Sequence, residues 1–233
     1  AVAGAPLGED GLSAYISSGT WSLVGLELAK PVTDKKAMEF NITNEVGVDD
    51  RIRFIKNVAG MWLLEESLDY WASKGEHYTA AELAKAAAEL PRASVIDAND
   101  PIFEKPGAMP ERIAMLCEKS NQQIPQSPAA YARCIFDSLA DAYVKVLAQL
   151  QSAAGVKINA INIVGGGSAN RLLNQLTADA TGLPVYAGPT EATVLGSVMV
   201  QMQSVGLINS LNQGRVIIKN SITQEEFKPK KIS

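Results

Sequence analysis

From Leu12 to Leu26 the chain runs through an apolar segment, Leu12-Ser13-Ala14-Tyr15-Ile16-Ser17, a small polar tip, Ser18-Gly19-Thr20, and a second apolar segment starting at Trp21. This pattern predicts two strands joined by a tight turn, within a β-rich opening that extends to about residue 55. Next, Met61, Leu64, Leu68 and Trp71 recur at helical spacing, which predicts a helix near 60–74 that stops at Gly75. Thr79-Ala80-Ala81-Glu82 has the form of a capping box opening a short helix before Pro91. Residues 94–107 are rich in Asp, Pro and Gly and read as a loop. Ser127-Pro128 opens a long helix in which Tyr131, Ile135, Leu139, Tyr143, Val146 and Leu150 keep one face as far as Gln151. A strand, helix, strand, helix finish follows: a buried strand at Ile161–Val164, a helix after the glycines, and a last long helix opening at Glu191-Ala192-Thr193. The closing Lys228-Pro229-Lys230-Lys231 reads as a solvated tail.

Composition narrows the class. With 233 residues, 47% of them hydrophobic, and a mean hydropathy of +0.03, the chain can bury one substantial core. A net charge of -4 gives no electrostatic reason to expect nucleic acid or an anionic membrane as partner. No apolar run of about 18 residues and no basic-then-apolar leader is present, so the expected address is the cytoplasm. Cys117 and Cys134 are too few for a disulfide framework. They read as small buried thiols on helices, and as a pair that oxidation can join if the helices pack together. His77, the only histidine, lies in a polar turn and has no second histidine with which to build a metal site or a triad.

The candidate chemistry lies at Gly165-Gly166-Gly167, between the Ile161–Val164 strand and the following helix. Glycines let a ligand approach the backbone, and Ser168 can cap a helix whose free amides favour an electron-rich group. A bare strand-to-helix turn fits the same residues. The dinucleotide fingerprint is excluded, because Asn170 stands where its third glycine belongs, and no Gly-Lys-Ser/Thr phosphate loop occurs. The Ser18-Gly19-Thr20 tip offers hydroxyls and amides of little bulk that suit phosphate oxygens, although many such tips are plain solvated turns.

Taken in order, Ser18-Gly19-Thr20-Trp21-Ser22, Asn44-Glu45, Lys56 to Leu64, Ala132 to Leu139, the triple glycine through Gly182, and Glu191-Ala192-Thr193 resemble the nucleotide-binding half of the FGGY carbohydrate kinase family. Within that family the likeness is to kinases of L-rhamnulose, and it spans about Ser13 to Val205. The resemblance implies an α/β domain of the ribonuclease H-like, actin-type ATPase fold, with ATP and Mg²⁺ as cofactors. It also implies that residues 1–233 are a carboxy-terminal domain whose partner is its own amino-terminal sugar-binding domain. The family's catalytic aspartate lies in a His-Asp-Thr stretch just before the hairpin. Ala1 to Gly11 contain no such stretch, so the base is expected upstream of Ala1 and this chain alone is expected to be inactive.

By the same resemblance, Thr20 lies near the ATP phosphates, Gly165 and Gly166 lie against adenosine, Asn170 reaches the base or ribose, and Asn57 faces the sugar. Asn170 also reads as a first-turn helix residue. Glu65 occupies the position of a nucleotide-contacting glutamine. A carboxylate there cannot donate and repels phosphates, so an exposed helix glutamate is the competing reading. Small residues at 192 and 196 share a face and would let another helix come close. Two other functions fit the residues: an FGGY kinase of another ketose such as L-fuculose or xylulose, and a non-enzymatic actin-like nucleotide-binding protein.

Overall fold

A computed structural model describes residues 1–8, 12–92 and 94–230. Glu9, Asp10 and Gly11 of the opening segment and Lys231 of the tail lie outside the described residues. One seven-stranded sheet organises the domain. Its strands are β1 (Ser13–Ser18), β2 (Trp21–Leu28), β3 (Thr43–Val46), β4 (Ile52–Ala59), β5 (Ala160–Val164), β6 (Val185–Ala187) and β7 (Glu225–Phe227). They are ordered β3-β4-β2-β1-β5-β6-β7. The first four pair antiparallel, whereas β5 runs parallel to β1, and β6 parallel to β5. Four antiparallel strands continued by parallel strands beside β1 form the sheet of the ribonuclease H-like, actin-type domain.

The helices are α1 (Lys35–Glu39), α2 (Trp62–Ser73), α3 (Ala80–Ala88), α4 (Met109–Lys119), α5 (Pro128–Ala154), α6 (Arg171–Thr181), α7 (Ala192–Ser204) and α8 (Leu211–Ser221). The Thr79/Glu82 capping box opens α3 as predicted, and the Ser127 side chain accepts from Ala130 N to cap α5. α5 runs beyond Gln151 to Ala154, where Gly155 stops it in the left-handed region at φ 67°. Its predicted face is buried from Ile135 onward: Ile135, Leu139, Tyr143, Val146 and Leu150 pack in one core with Ile16, Val24, Leu26 and Phe54 of the sheet, joined by Phe136, while Tyr131 is partly buried against it. Each such side chain contributes roughly 1.5–3 kcal/mol by leaving water, so α5 with the sheet is the main source of stability. No described helix is long and apolar enough to cross a membrane.

The opposite sheet face is covered by the chain's own beginning. Val2 packs on Tyr15 and Ile55 with Leu7 and Leu23, and a 3-10 turn at Val2–Gly4 lies against α7. A Cβ on Gly4 would stand 2.0 Å from the Ala192 carbonyl oxygen. The small residues Ala192 and Gly196 therefore admit this turn, where the sequence suggested a helix. The finish also differs from the pattern: α8 and β7 follow α7. The tail is not simply solvated, since Gln175 donates to the Lys228 carbonyl at 2.9 Å and Lys230 N donates to Asp179 at 2.7 Å.

Candidate functional site

Gly19 and Thr20 alone join β1 to β2. The tip is tied down from both sides. Met61 N and Trp62 N donate to the Gly19 and Thr20 carbonyls at 2.9 and 3.0 Å, so the tip takes up amides at the start of α2 that the helix itself leaves unpaired. Gly60 makes this docking sterically feasible: a Cβ there would lie 2.5 Å from Gly19 O and 2.7 Å from Thr20 O. Beneath the tip, Ser22 Oγ and the buried Tyr143 hydroxyl of α5 share a 2.7 Å hydrogen bond. Burial pushes the Tyr143 hydroxyl above its ordinary range, which keeps it protonated. Thr20 itself is exposed, and its hydroxyl donates to Glu65 Oε1 in the first turn of α2 at 3.4 Å, a long and weak contact.

The three glycines differ physically. Gly165 has φ 86°, and a Cβ there would stand 2.7 Å from Ser18 O. A Cβ on Gly167 would stand 1.9 Å from Ser18 Oγ. The fold thus requires both, because the turn closes over the last residue of β1. Gly166 needs neither explanation: it is exposed, and a Cβ there meets no atom within 4 Å. Its lack of a side chain leaves open space above the backbone, at the carboxyl ends of the parallel strands β1 and β5, where ligands of open α/β sheets bind.

Ser168 does not cap the helix. A 3-10 turn spans Gly166–Ala169, Ser168 Oγ donates back to Gly165 O at 2.7 Å, and Asn170 is the cap, its Oδ1 accepting from Leu173 N at 3.1 Å. Asn170 therefore has a structural role, and the capping bond engages only its oxygen. A cavity of about 350 Å³ adjoins the turn at Ser168, walled by Gly188, Pro189, Thr190, Ile222 and Thr223. That volume falls within the range of small-ligand pockets. A smaller cavity, about 180 Å³, lies at the other end of β1 around Glu27 and Arg215.

Thr20, Glu65, Gly165 and Gly166 thus come together at one end of the sheet. Asn57 is exposed near the end of β4, directly opposite Leu23 of β2. Its neighbour Lys56 points the other way, donating to Phe40 O at 2.6 Å and Gln149 Oε1 at 3.0 Å, and burial lowers its pKa. The sequence pattern gives no role to Gly60 or Trp21, and it gives Ser18 one only as a hydroxyl of the hairpin tip, not as the residue beneath the glycine turn. The glycine directly before a helix was the one available signal for Gly60; the other two depend on cross-strand neighbours. Among the described residues no group of three or more His, Cys, Asp or Glu side chains is placed to hold a metal ion.

Residues 14–205 match the FGGY family of carbohydrate kinases, C-terminal domain. A rhamnulokinase of Oceanobacillus iheyensis is 43% identical over 209 residues, covering 90% of this chain and 44% of that protein. One from Mannheimia succiniciproducens is 43% identical over 228 residues, covering 98% of this chain and 46% of the relative. The chain therefore spans somewhat under half the length of these relatives. Among solved structures, a xylulose kinase from Rhodospirillum rubrum superposes with a TM-score of 0.70 at 15% identity, over 99% of this chain and 45% of that one. A Plasmodium falciparum glycerol kinase with ADP gives 0.65 at 11% identity, over 93% of this chain and 43% of that one. The extent of the family match, read with the sheet order and the hairpin and glycine turns that meet at Ser18, places this chain in the FGGY family of carbohydrate kinases.

Proposed function

We propose that this chain is the carboxy-terminal, nucleotide-binding part of a kinase that transfers the γ-phosphoryl group of MgATP to the 1-hydroxyl of L-rhamnulose. The observation that carries the nucleotide assignment is Gly166, the one glycine of its turn that no internal contact explains. In this reading the backbone at Gly165 and Gly166 lies against adenosine, and the Asn170 NH₂ group donates to the base or ribose. The Thr20 hydroxyl donates to phosphate oxygens and stabilises charge as it redistributes. Bound Mg²⁺ supplies charge neutralisation. With no acidic cluster among the described residues to hold it, the ion would be carried on the phosphates. Asn57 faces the ketose.

The base that takes the hydroxyl proton is proposed to be an aspartate upstream of Ala1, in a sugar-binding domain that closes over the sheet end and excludes water. Two observations support this division: the chain covers 44–46% of its rhamnulokinase relatives, and Thr20 and Gly166 are both exposed. The 233 residues alone are then inactive, and the whole enzyme works in the cytoplasm. The test is a coupled ADP-release assay of the full-length protein with MgATP and a ketose panel. We expect the highest kcat/KM with L-rhamnulose. Preference for L-fuculose or xylulose would reassign the substrate, and absence of ketose-dependent ADP release would refute the kinase reading.

A further inference from the structure

Trp21 is half exposed, at 52%, whereas Trp71 is buried and Trp62 partly so. Its position in β2 decides which way it faces. Ser22 bonds Tyr143 of α5, so Trp21 and Leu23, on either side of it in a strand, present to the opposite face of the sheet. Leu23 is paired with Asn57 in β4 and with Ser17 in β1, which makes Asn57, Leu23 and Ser17 one row across three strands. Trp21 is the next position on that face toward the hairpin tip, directly after Thr20. Further from the tip the same face is sealed by Val2 and Leu7 packing on Tyr15 and Ile55, and Leu23 sits at the border of that cluster. The covered surface ends there, and what stays open is an indole, the edge of a leucine, an amide and a hydroxyl.

We infer that Trp21, with Leu23 beside it, is the apolar platform on which the acceptor ketose rests a C–H face, while Asn57 and Ser17 take its hydroxyls. The inference rests on the kinase reading above and adds a binding residue to it. A lone exposed hydrophobe would carry nothing, since such residues are common on surfaces. The argument is the juxtaposition. A ketose carries apolar C–H groups and a rim of hydroxyls, and this open patch sets an aromatic face beside two short polar side chains. It also adjoins the threonine proposed to meet the phosphates, so an acceptor lying on the indole is beside the group it must attack. The indole adds contact area with only two side-chain torsions to restrain.

The test uses full-length protein carrying Trp21→Ala and Trp21→Phe, with thermal melts, ATP binding by calorimetry, and steady-state kinetics in L-rhamnulose. An apolar platform bound equally by ground and transition states predicts a KM for the ketose raised by about ten-fold in Trp21→Ala with kcat nearly kept. It also predicts near-normal KM in Trp21→Phe and unchanged ATP affinity in both. Tryptophan emission should shift on adding ketose without nucleotide, and that shift should vanish in Trp21→Phe. An unaltered ketose KM in a folded, active Trp21→Ala protein would overturn the inference alone, as would ATP and ketose constants rising together. A wild-type protein that neither binds nor phosphorylates any ketose would overturn both this inference and the reading beneath it.

Discussion

Arg215 grips Glu27 with two parallel hydrogen bonds, at 2.7 and 2.8 Å, and with the same guanidinium donates to the Val2 carbonyl at 3.0 Å. The contact fastens α8 to β2 and to the opening turn, and both Val2 and Arg215 lie outside the 14–205 family match. The side chains are only 6% and 9% exposed, so removing one partner leaves a charge in a poorly solvated place. That costs about 3–5 kcal/mol, and Arg51, 3.6 Å from Glu27, offsets part of it. We therefore expect Arg215→Ala to lower stability by roughly 3 kcal/mol in urea unfolding, with Arg215→Lys losing less. A midpoint unchanged from wild type would show that the pair adds nothing.

The 3.4 Å contact between Thr20 and Glu65 puts a carboxylate beside the proposed phosphate site. Glu65→Gln removes that charge and supplies an amide donor, so ATP affinity of the full-length protein should rise several-fold, while the exposed position leaves the melting temperature unchanged. Calorimetric titration decides it. Weaker ATP binding in Glu65→Gln would show instead that the carboxylate accepts a bond from the nucleotide.

Cys117 of α4 and Cys134 of α5 are buried side by side as free thiols. The hydrogen bond from Cys134 lowers the Cys117 thiol to about 7, while the same bond and burial push Cys134 up. One sulfur thus ionises at its partner's expense. Since the thiolate is the attacking species and both sulfurs are buried, bridging by hydrogen peroxide, a small oxidant, should speed up as pH rises from 6 to 8, and then level off. Peptide mapping without reductant should find Cys117 joined to Cys134. In Cys134→Ala the Cys117 thiol should titrate higher. No bridge under oxidant, or a pH-independent rate, would contradict this arrangement.

Much of the fold was legible because its signals are local. The Thr79/Glu82 box, the Ser127-Pro128 start and the periodic face of α5 each lie within a few residues of the element they define. What could not be read depends on distant partners. Three consecutive glycines look alike in sequence, and only the position of Ser18 beneath them separates the two the fold requires from the one it leaves open. The small residues of α7 announced a close neighbour, but not that the neighbour is a turn at the chain's own beginning. For the same reason Ser168 looked like a cap when the bond belongs to Asn170, and Trp21 is distinguished only once Ser22 is seen to face α5.

Gly166 provides the most direct test of the central claim, because a Cβ there meets no atom of this chain within 4 Å, so a small side chain leaves the turn undisturbed and stands in the space proposed for the ligand. Calorimetric ATP titration of full-length Gly166→Val, beside a thermal melt, is the measurement. The account predicts a melting temperature close to wild type and ATP affinity reduced by about ten-fold or more, roughly 1.4 kcal/mol or greater. Wild-type affinity for ATP in the folded Gly166→Val protein would contradict it.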